Sequence, residues 1–320
     1  MFIKEHADKK LSEKELRFLF DKRIHSIVFI LISFALFFVG YNNIDTLHLT
    51  KYEVSIKAEP ENDKSENEVP VNDKSENEVP VNDKSENEVP ENGKSGNVDL
   101  NICLIADIHA GSGTWKDTYD KLAEQIDKAN PDVLLIGGDV FDETTGVKDV
   151  ADFGQVLTKI KQPQYGIYYI YGNHDGKDSQ AVEMLRTLNV RILQDEMTVI
   201  ANDVQLIGCM DPKYGAKDFE KLFEECSPDS SKPIIVLTHR PKGFKKMAGL
   251  GVDLAMAGHT HGFNIPQFIG APIFGDMYSG IKKFDDMTAV TTSGVSAWGF
   301  HYKWPAISEV VCIHVEFEKK

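Results

Sequence analysis

From Leu100 onward, short apolar runs and amphipathic stretches follow one another in turn, and this alternation leaves few folds open to the chain. The runs "NICLIAD", "VLLIGGD", "GIYYIYGNHD", "VQLIGCMD", "PIIVLTHR" and "DLAMAGHTH" have the length and apolar density of buried strands. Several are separated by "DTYDKLAEQIDKAN", "VADFGQVLTKI", "SQAVEMLRTLN" and "DFEKLFEEC", where apolar residues return at helical spacing. Strand and helix in turn predict an α/β fold, with a largely buried sheet and helices packed outside it. The 320 residues, 42% of them hydrophobic, supply enough apolar matter for one full core.

Five of these strand candidates end in the same kind of chemistry: Asp107-x-His109, Gly138-Asp139, Gly172-Asn173-His174-Asp175, His239 and His259-x-His261. Groups at the carboxyl ends of neighbouring parallel strands converge in space, so the five endings are expected to form one site. Three Asp, one Asn and five His, with no thiolate, suit divalent ions such as Mn²⁺, Fe²⁺ or Zn²⁺. That is too many donors for one ion. They match a pair of ions sharing a carboxylate, about 3.5 to 4 Å apart, as used in phosphoryl hydrolysis. Each motif alone has a plainer reading. Gly137-Gly138-Asp139 reads as a turn with a helix cap. In extended backbone His259 and His261 fall on one side, about 6 to 7 Å apart, and serve one ion or two adjacent ones.

As an ordered set, D-x-H, GD, GNHD, H and GHTH resembles the calcineurin-like metallophosphoesterases, over residues 51 to 317 apart from a repeat. With an apolar segment ahead of it, the layout is similar to the membrane-associated bacterial subgroup of that family. The resemblance implies a two-sheet α/β sandwich with flanking helices, preceded by one transmembrane helix. It also implies that Asp107, His109 and His261 hold one ion, that Asn173, His239 and His259 hold the second, and that Asp139 bridges both. His174 then faces the substrate and protonates the leaving oxygen, with Asp175 orienting it. Two cations lower the pKa of a shared water and neutralise phosphoryl oxygens during in-line attack, which makes hydroxide available near neutral pH. The chain departs from the pattern at Phe263 and Asn264, where relatives continue Gly-Gln, and at Lys303, where Arg is expected. Arg240 is either a phosphate clamp or half of a salt bridge.

Two appendages complete the chain. Residues 24–41, "IHSIVFILISFALFFVGY", carry no Asp, Glu, Lys or Arg and at about 1.5 Å per residue just span a bilayer core of about 30 Å. Lys4, Lys9, Lys10, Lys14, Arg17, Lys22 and Arg23 precede this stretch, against Lys51 and Lys57 after it. The positive-inside rule then puts residues 1–23 in the cytoplasm and the 51–320 domain outside, on a single-pass anchor. A cleaved signal peptide fits less well, because its apolar region is shorter and no small-x-small site follows. The second appendage is a decapeptide repeat of the form "VNDKSENEVP" within residues 59–97, where twelve acidic residues stand against four lysines. Too polar to offset its ordering entropy, it reads as a disordered acidic spacer inserted after the strand-like "KYEVSIKA". The four cysteines show no paired spacing and read as buried thiols.

The net charge of −15 comes without any clustered basic face, which disfavours a dedicated nucleic-acid binder. The expected function is that of a membrane-anchored dinuclear phosphohydrolase cleaving phosphomonoesters or phosphodiesters, on lipid or cell-envelope precursors. Its partners are a phosphate-ester substrate and the membrane, with no obligate protein partner. The alternatives are a binding or scaffold protein that kept the fold, and a nuclease.

Overall fold

The computed structural model describes residues 21–58, 99–114, 117–177, 179–262 and 275–319. The acidic repeat, most of the expected cytoplasmic segment, Phe263 and Asn264 lie outside the described residues. Helix α1 (Lys22–Ile44) contains the expected 24–41 span and runs three residues past it. Asp21 caps it, its side chain accepting from the Arg23 N–H at 2.8 Å. Its 23 residues are long and apolar enough to cross a membrane by length and composition. Phe29, Phe34 and Phe38 are each more than 60% exposed, so among the described residues no protein core covers the helix over this stretch, and only Gly40 and Ile44 near its end are buried.

The rest is a sandwich of two six-stranded sheets. In the first, β1 (Leu47–Ala58), β2 (Leu100–Ile105), β3 (Val133–Ile136), β4 (Ile167–Tyr169), β5 (Val190–Ile192) and β12 (Ser308–Lys319) lie in the order β1-β12-β2-β3-β4-β5. From β2 to β5 the strands are parallel. The β12 strand meets β2 antiparallel and β1 parallel, so β1 sits at the edge. In the second sheet, β6 (Glu196–Ile200), β7 (Val204–Gly208), β8 (Ile234–Leu237), β9 (Leu254–Ala257), β10 (Gly280–Phe284) and β11 (Met287–Thr291) lie in the order β10-β11-β9-β8-β7-β6. The expectation of neighbouring strands in one sheet is thereby corrected: three site-bearing strands belong to one sheet and two to the other. The acidic repeat falls between β1 and β2, two strands of the same sheet separated only by β12.

Alternation along each strand explains why both faces are apolar. On β2, Ile102 and Leu104 turn into the space between the sheets, where they join Leu135, Leu206, Ile235, Leu254 and Met256. Cys103 and Ile105 turn outward to the helices, against Leu122 and Ile126 of α2 (Thr118–Ala129) and Phe153 of α3 (Val147–Lys159). Helix α4 (Gln180–Thr187) adds Val182 and Leu185 to this layer. On the far side, α5 (Phe219–Cys226) and α6 (Phe244–Gly249) cover the second sheet with Leu222, Phe244 and Met247. Each such side chain contributes about 1.5 to 3 kcal/mol by leaving water. A one-residue slip of register would exchange the two layers, so the strand ends are held at fixed heights. All four cysteines are free, three of them buried.

Candidate metal centre

The turns that leave β2, β3 and β4 meet those that leave β8 and β9 at one edge of the sandwich. The Asp107 N–H donates to Gly138 O at 3.0 Å, and the His109 N–H donates to Asp139 O at 3.1 Å, which laces the first two turns together. Asp107, His109, Asp139, His259 and His261 all lie in the left-handed region, with φ between 46° and 74°. Left-handed backbone costs a non-glycine residue roughly 1 to 2 kcal/mol, and it persists where the surrounding structure holds it for a purpose. Gly172 supplies the space, since a Cβ there would collide with the Asp139 carboxylate.

Two triplets result. In the first, the ligand atoms of Asp107, His109 and His261 lie within 4.8 Å of one another, with the two imidazole Nε2 atoms 3.3 Å apart. In the second, Asp139 Oδ2 lies 3.1 Å from His239 Nε2, and His259 Nδ1 lies 3.2 Å from the same nitrogen. Asp139 Oδ2 is also 3.9 Å from His109 Nε2, so one carboxylate borders both triplets. Asn173 adds a side-chain oxygen, Oδ1, that is buried without a hydrogen-bond partner. Ring nitrogens turned toward one another, an orphaned amide oxygen and an all-nitrogen-and-oxygen donor set fit a pair of divalent cations.

The far side of each ring fixes its direction. His239 Nδ1–H donates to Gly137 O at 2.8 Å, and His261 Nδ1–H donates to Ser296 O at 3.2 Å. His109 Nδ1 meets Asp142 Oδ2 at 3.1 Å. In all three, Nε2 is left to face the centre. His259 is reversed, presenting Nδ1, while its backbone N–H donates to the Asp107 carboxylate at 2.9 and 3.1 Å. Asp142, Ser296 and the Gly137 carbonyl were not found by sequence reasoning. Asp142 has a signal, standing three residues after Asp139, whereas a backbone acceptor has none.

Burial opposes charge throughout the site, and the neighbours decide which groups keep it. Burial alone would neutralise His239, yet the charges of Asp139 and Asp107 and the Asp139 hydrogen bond raise it to about 10. Asp139 is also buried, and His239 and His109 hold it below the usual carboxylate range. Burial lifts Asp107 to about 6 against the pull of His239. His259 is driven down to about 3 by burial, with His239 and Arg240 adding to it. His261 is lowered by burial and by His109.

The remaining expected residues fall as follows. The backbone N–H of His174 donates to Asp139 Oδ1 at 2.7 Å, and its half-buried ring stands 5.2 Å from the His109 ring. Asp175 does not orient that ring. Its buried carboxylate accepts the backbone N–H groups of Asp139, Val140, Phe141 and Gly172 at 2.7 to 3.0 Å, tying the β3 turn to the β4 turn. The partner of the His174 ring is Glu143, whose Oε2 lies 3.4 Å from Nδ1, and the indole of Trp298 lies 5.2 Å away on another side. Arg240 forms the salt bridge, its Nε and Nη2 on the buried Asp211 carboxylate at 2.7 and 3.2 Å. Lys303 is buried, with Nζ donating to Gly294 O and Ser296 O at 2.8 Å each, so it steadies the carbonyl that aims His261. Burial lowers its pKa to about 7.

Comparison with known proteins agrees with this geometry. A family model described as "Calcineurin-like phosphoesterase" matches residues 100–263. An uncharacterized metallophosphoesterase of Helicobacter pylori is 30% identical over 227 residues, 68% of this chain and 60% of that protein. A Bos taurus protein described as "Transmembrane protein with metallophosphoesterase domain" is 28% identical over 66% of this chain and 52% of its own length. Escherichia coli phosphodiesterase YaeI is 28% identical over 61% of this chain and 75% of its own length. The alignments thus span about 60% of the Helicobacter relative and about half of the bovine one. The motif order, the paired triplets and the family match agree: this chain belongs to the calcineurin-like phosphoesterases.

Proposed function

We propose that the chain is a membrane-anchored, dinuclear metal-dependent phosphohydrolase of phosphomonoesters or phosphodiesters. The observation that carries this reading is the pair of triplets sharing the edge of Asp139, with Asn173 Oδ1 buried and unpartnered on the turn whose neighbours Gly172 and His174 both contact Asp139. Asp107, His109 and His261 hold one ion, Asn173, His239 and His259 the other, and Asp139 lies between. When bound, two divalent ions supply an activated water and neutralise charge on the phosphoryl oxygens.

The protein's own groups do the rest. Asp139 and Asp107 set the charge that attracts cations, and the Gly137, Ser296 and Asp142 contacts keep the imidazole nitrogens aimed inward. The Nδ1–H of His174 faces the Glu143 carboxylate. In the imidazolium form Nε2 also carries a proton, which passes to the leaving oxygen as it departs as a neutral alcohol and leaves the ring neutral with its proton on Nδ1. Asp175 is a positioning residue that fixes Asp139 through backbone N–H groups.

The exposed apolar surface of α1, the basic residues before it and the description of the bovine relative support a single-pass anchor with the domain outside the cytoplasm. The description of the Escherichia coli relative favours diesters. A scaffold that kept the fold is opposed by the full complement of ligand residues. A nuclease shares the chemistry and lacks a basic groove.

The test is turnover of chromogenic mono- and diesters by the full chain, with chelation and Mn²⁺ add-back. Activity lost on chelation and restored by metal is expected, whereas folded protein that takes up no metal overturns the reading. Protease access in intact cells checks orientation, and digestion only after lysis would reverse it.

A further inference from the structure

The loop that walls the site also holds the end of the membrane helix. Along residues 295–302, "VSAWGFHY" contains no Asp, Glu, Lys or Arg. Within this loop Phe300 is 85% exposed, Trp298 52%, and Trp304 just beyond it 37%. Outside α1, the other large hydrophobic side chains this exposed among the described residues are Val147, Val199 and Ile281, scattered over three different elements or loops. Single exposed apolar residues are ordinary, but three aromatics within seven residues form a patch.

The patch is fixed to α1. The Lys303 N–H donates to Gly40 O at 2.8 Å, and the Tyr302 ring stacks on Phe37 with centroids 5.8 Å apart. The Tyr302 hydroxyl donates to Leu36 O at 3.4 Å. His301 Nε2 reaches Asp45 Oδ1 at 2.7 Å, and its ring meets Tyr41 edge-on at 4.9 Å. Gly40 permits this approach, because a Cβ there would collide with the Tyr302 ring. Tyr302 therefore lies against Leu36, Phe37 and Gly40, within the last three turns of the apolar helix. Trp298, four residues earlier, is no more than about 14 Å from it along the chain, and its indole touches the surroundings of His174. Aromatic side chains gather at the level of lipid headgroups, where an apolar ring and a polar edge are both satisfied.

We propose that Trp298, Phe300 and Trp304 are seated in the headgroup layer beside the exit of α1, so that the site opens against the bilayer and takes lipid phosphoesters from it. The phosphoryl group reaches the mouth of the site at His174 while the acyl or alkyl chains stay in the membrane beside Trp298 and Phe300. This rests on the proposed phosphohydrolase for its chemistry, and on the loop contacts alone for its geometry.

The test uses the full chain reconstituted in phosphatidylcholine vesicles. With Trp115→Phe and Trp304→Phe leaving Trp298 as the one indole, phosphatidylcholine brominated near the top of its acyl chains is expected to quench about half of the fluorescence. In the unmutated chain, p-nitrophenyl hexadecyl phosphate in the vesicles is expected to show kcat/KM at least about tenfold above p-nitrophenyl methyl phosphate, which has the same leaving group. Phe300→Ser is expected to bring that ratio toward one. An unquenched Trp298, or equal turnover of the two esters by the unmutated chain, overturns the inference. If neither ester is cleaved while Trp298 is quenched, the proposed chemistry fails and the membrane-facing seat of the loop stands.

Discussion

The two triplets use the same residue types, one Asp and two His, yet they are held in different ways. In the first, His109 is braced by the Asp142 side chain and His261 by the Ser296 carbonyl, which Lys303 steadies in turn. In the second, His239 is braced by the backbone of Gly137, and among the described residues the ring hydrogen bond of His259 is to His239, within the site itself. Charge is arranged alike in both. One imidazole, His109 or His239, is raised by carboxylates against the effect of burial, and the other, His261 or His259, is lowered by burial and by the neighbouring imidazole. Side chains that substitution can remove, Asp142 and Lys303, therefore stand behind the first half, whereas the brace of His239 is built into the backbone of the turn after β3.

Removing what the halves share has the largest expected effect. Asp139→Asn takes the negative charge from between both triplets, and turnover should fall about a thousandfold or more, with both ions weakened together. Metal content by elemental analysis alongside turnover checks this, and unchanged turnover in metal-loaded, folded protein rejects the bridging role. His174→Ala lies outside both halves. It should leave two ions per chain and cost about a hundredfold on esters with poor leaving groups, with far less on nitrophenyl esters. Equal damage to both classes argues against proton donation.

Asp142→Asn separates the halves. Loss of the carboxylate behind His109 should weaken one ion by about 10- to 100-fold and leave the other, so that titration calorimetry resolves two unequal sites. A uniform loss would mean that the triplets are not independent. The smallest effect is the pH dependence. In the metal-free chain His239, raised to about 10, keeps its proton at neutral pH and must release it to bind a cation. Affinity should therefore rise with pH, about tenfold per unit for one proton released below that pKa. Calorimetry in buffers of different ionisation enthalpy measures the protons given up, and zero release contradicts the assignment.

Much of the site was legible because its residues sit where buried strands end. Asp107, His109, Asp139, Asn173, His239, His259 and His261 each follow an apolar run, and the structure brings all seven to one edge. Less legible were partners that act through distance or through backbone. Glu143 and Trp298 flank His174 from segments 31 residues before it and 124 after it, and no spacing joins them. The neighbour in sequence, Asp175, was expected to orient His174 and instead clamps two turns, since adjacent side chains on such a turn leave the backbone in different directions. Strands as short as β5, and the hairpin of β10 and β11 with its half-polar "GIKKF", lack the apolar length that marks the others.

The alternation of elements, the apolar helix ahead of them and the donor types at the strand tips follow from the residues alone, because hydrophobic periodicity and residue chemistry are local properties. Tertiary structure decided that the tips come from two sheets, which nitrogen of each imidazole faces inward, and that one aromatic loop touches both His174 and the end of α1. Those outcomes depend on which distant groups meet once the apolar faces are buried, and the residues concerned are separated by up to 266 positions along the chain.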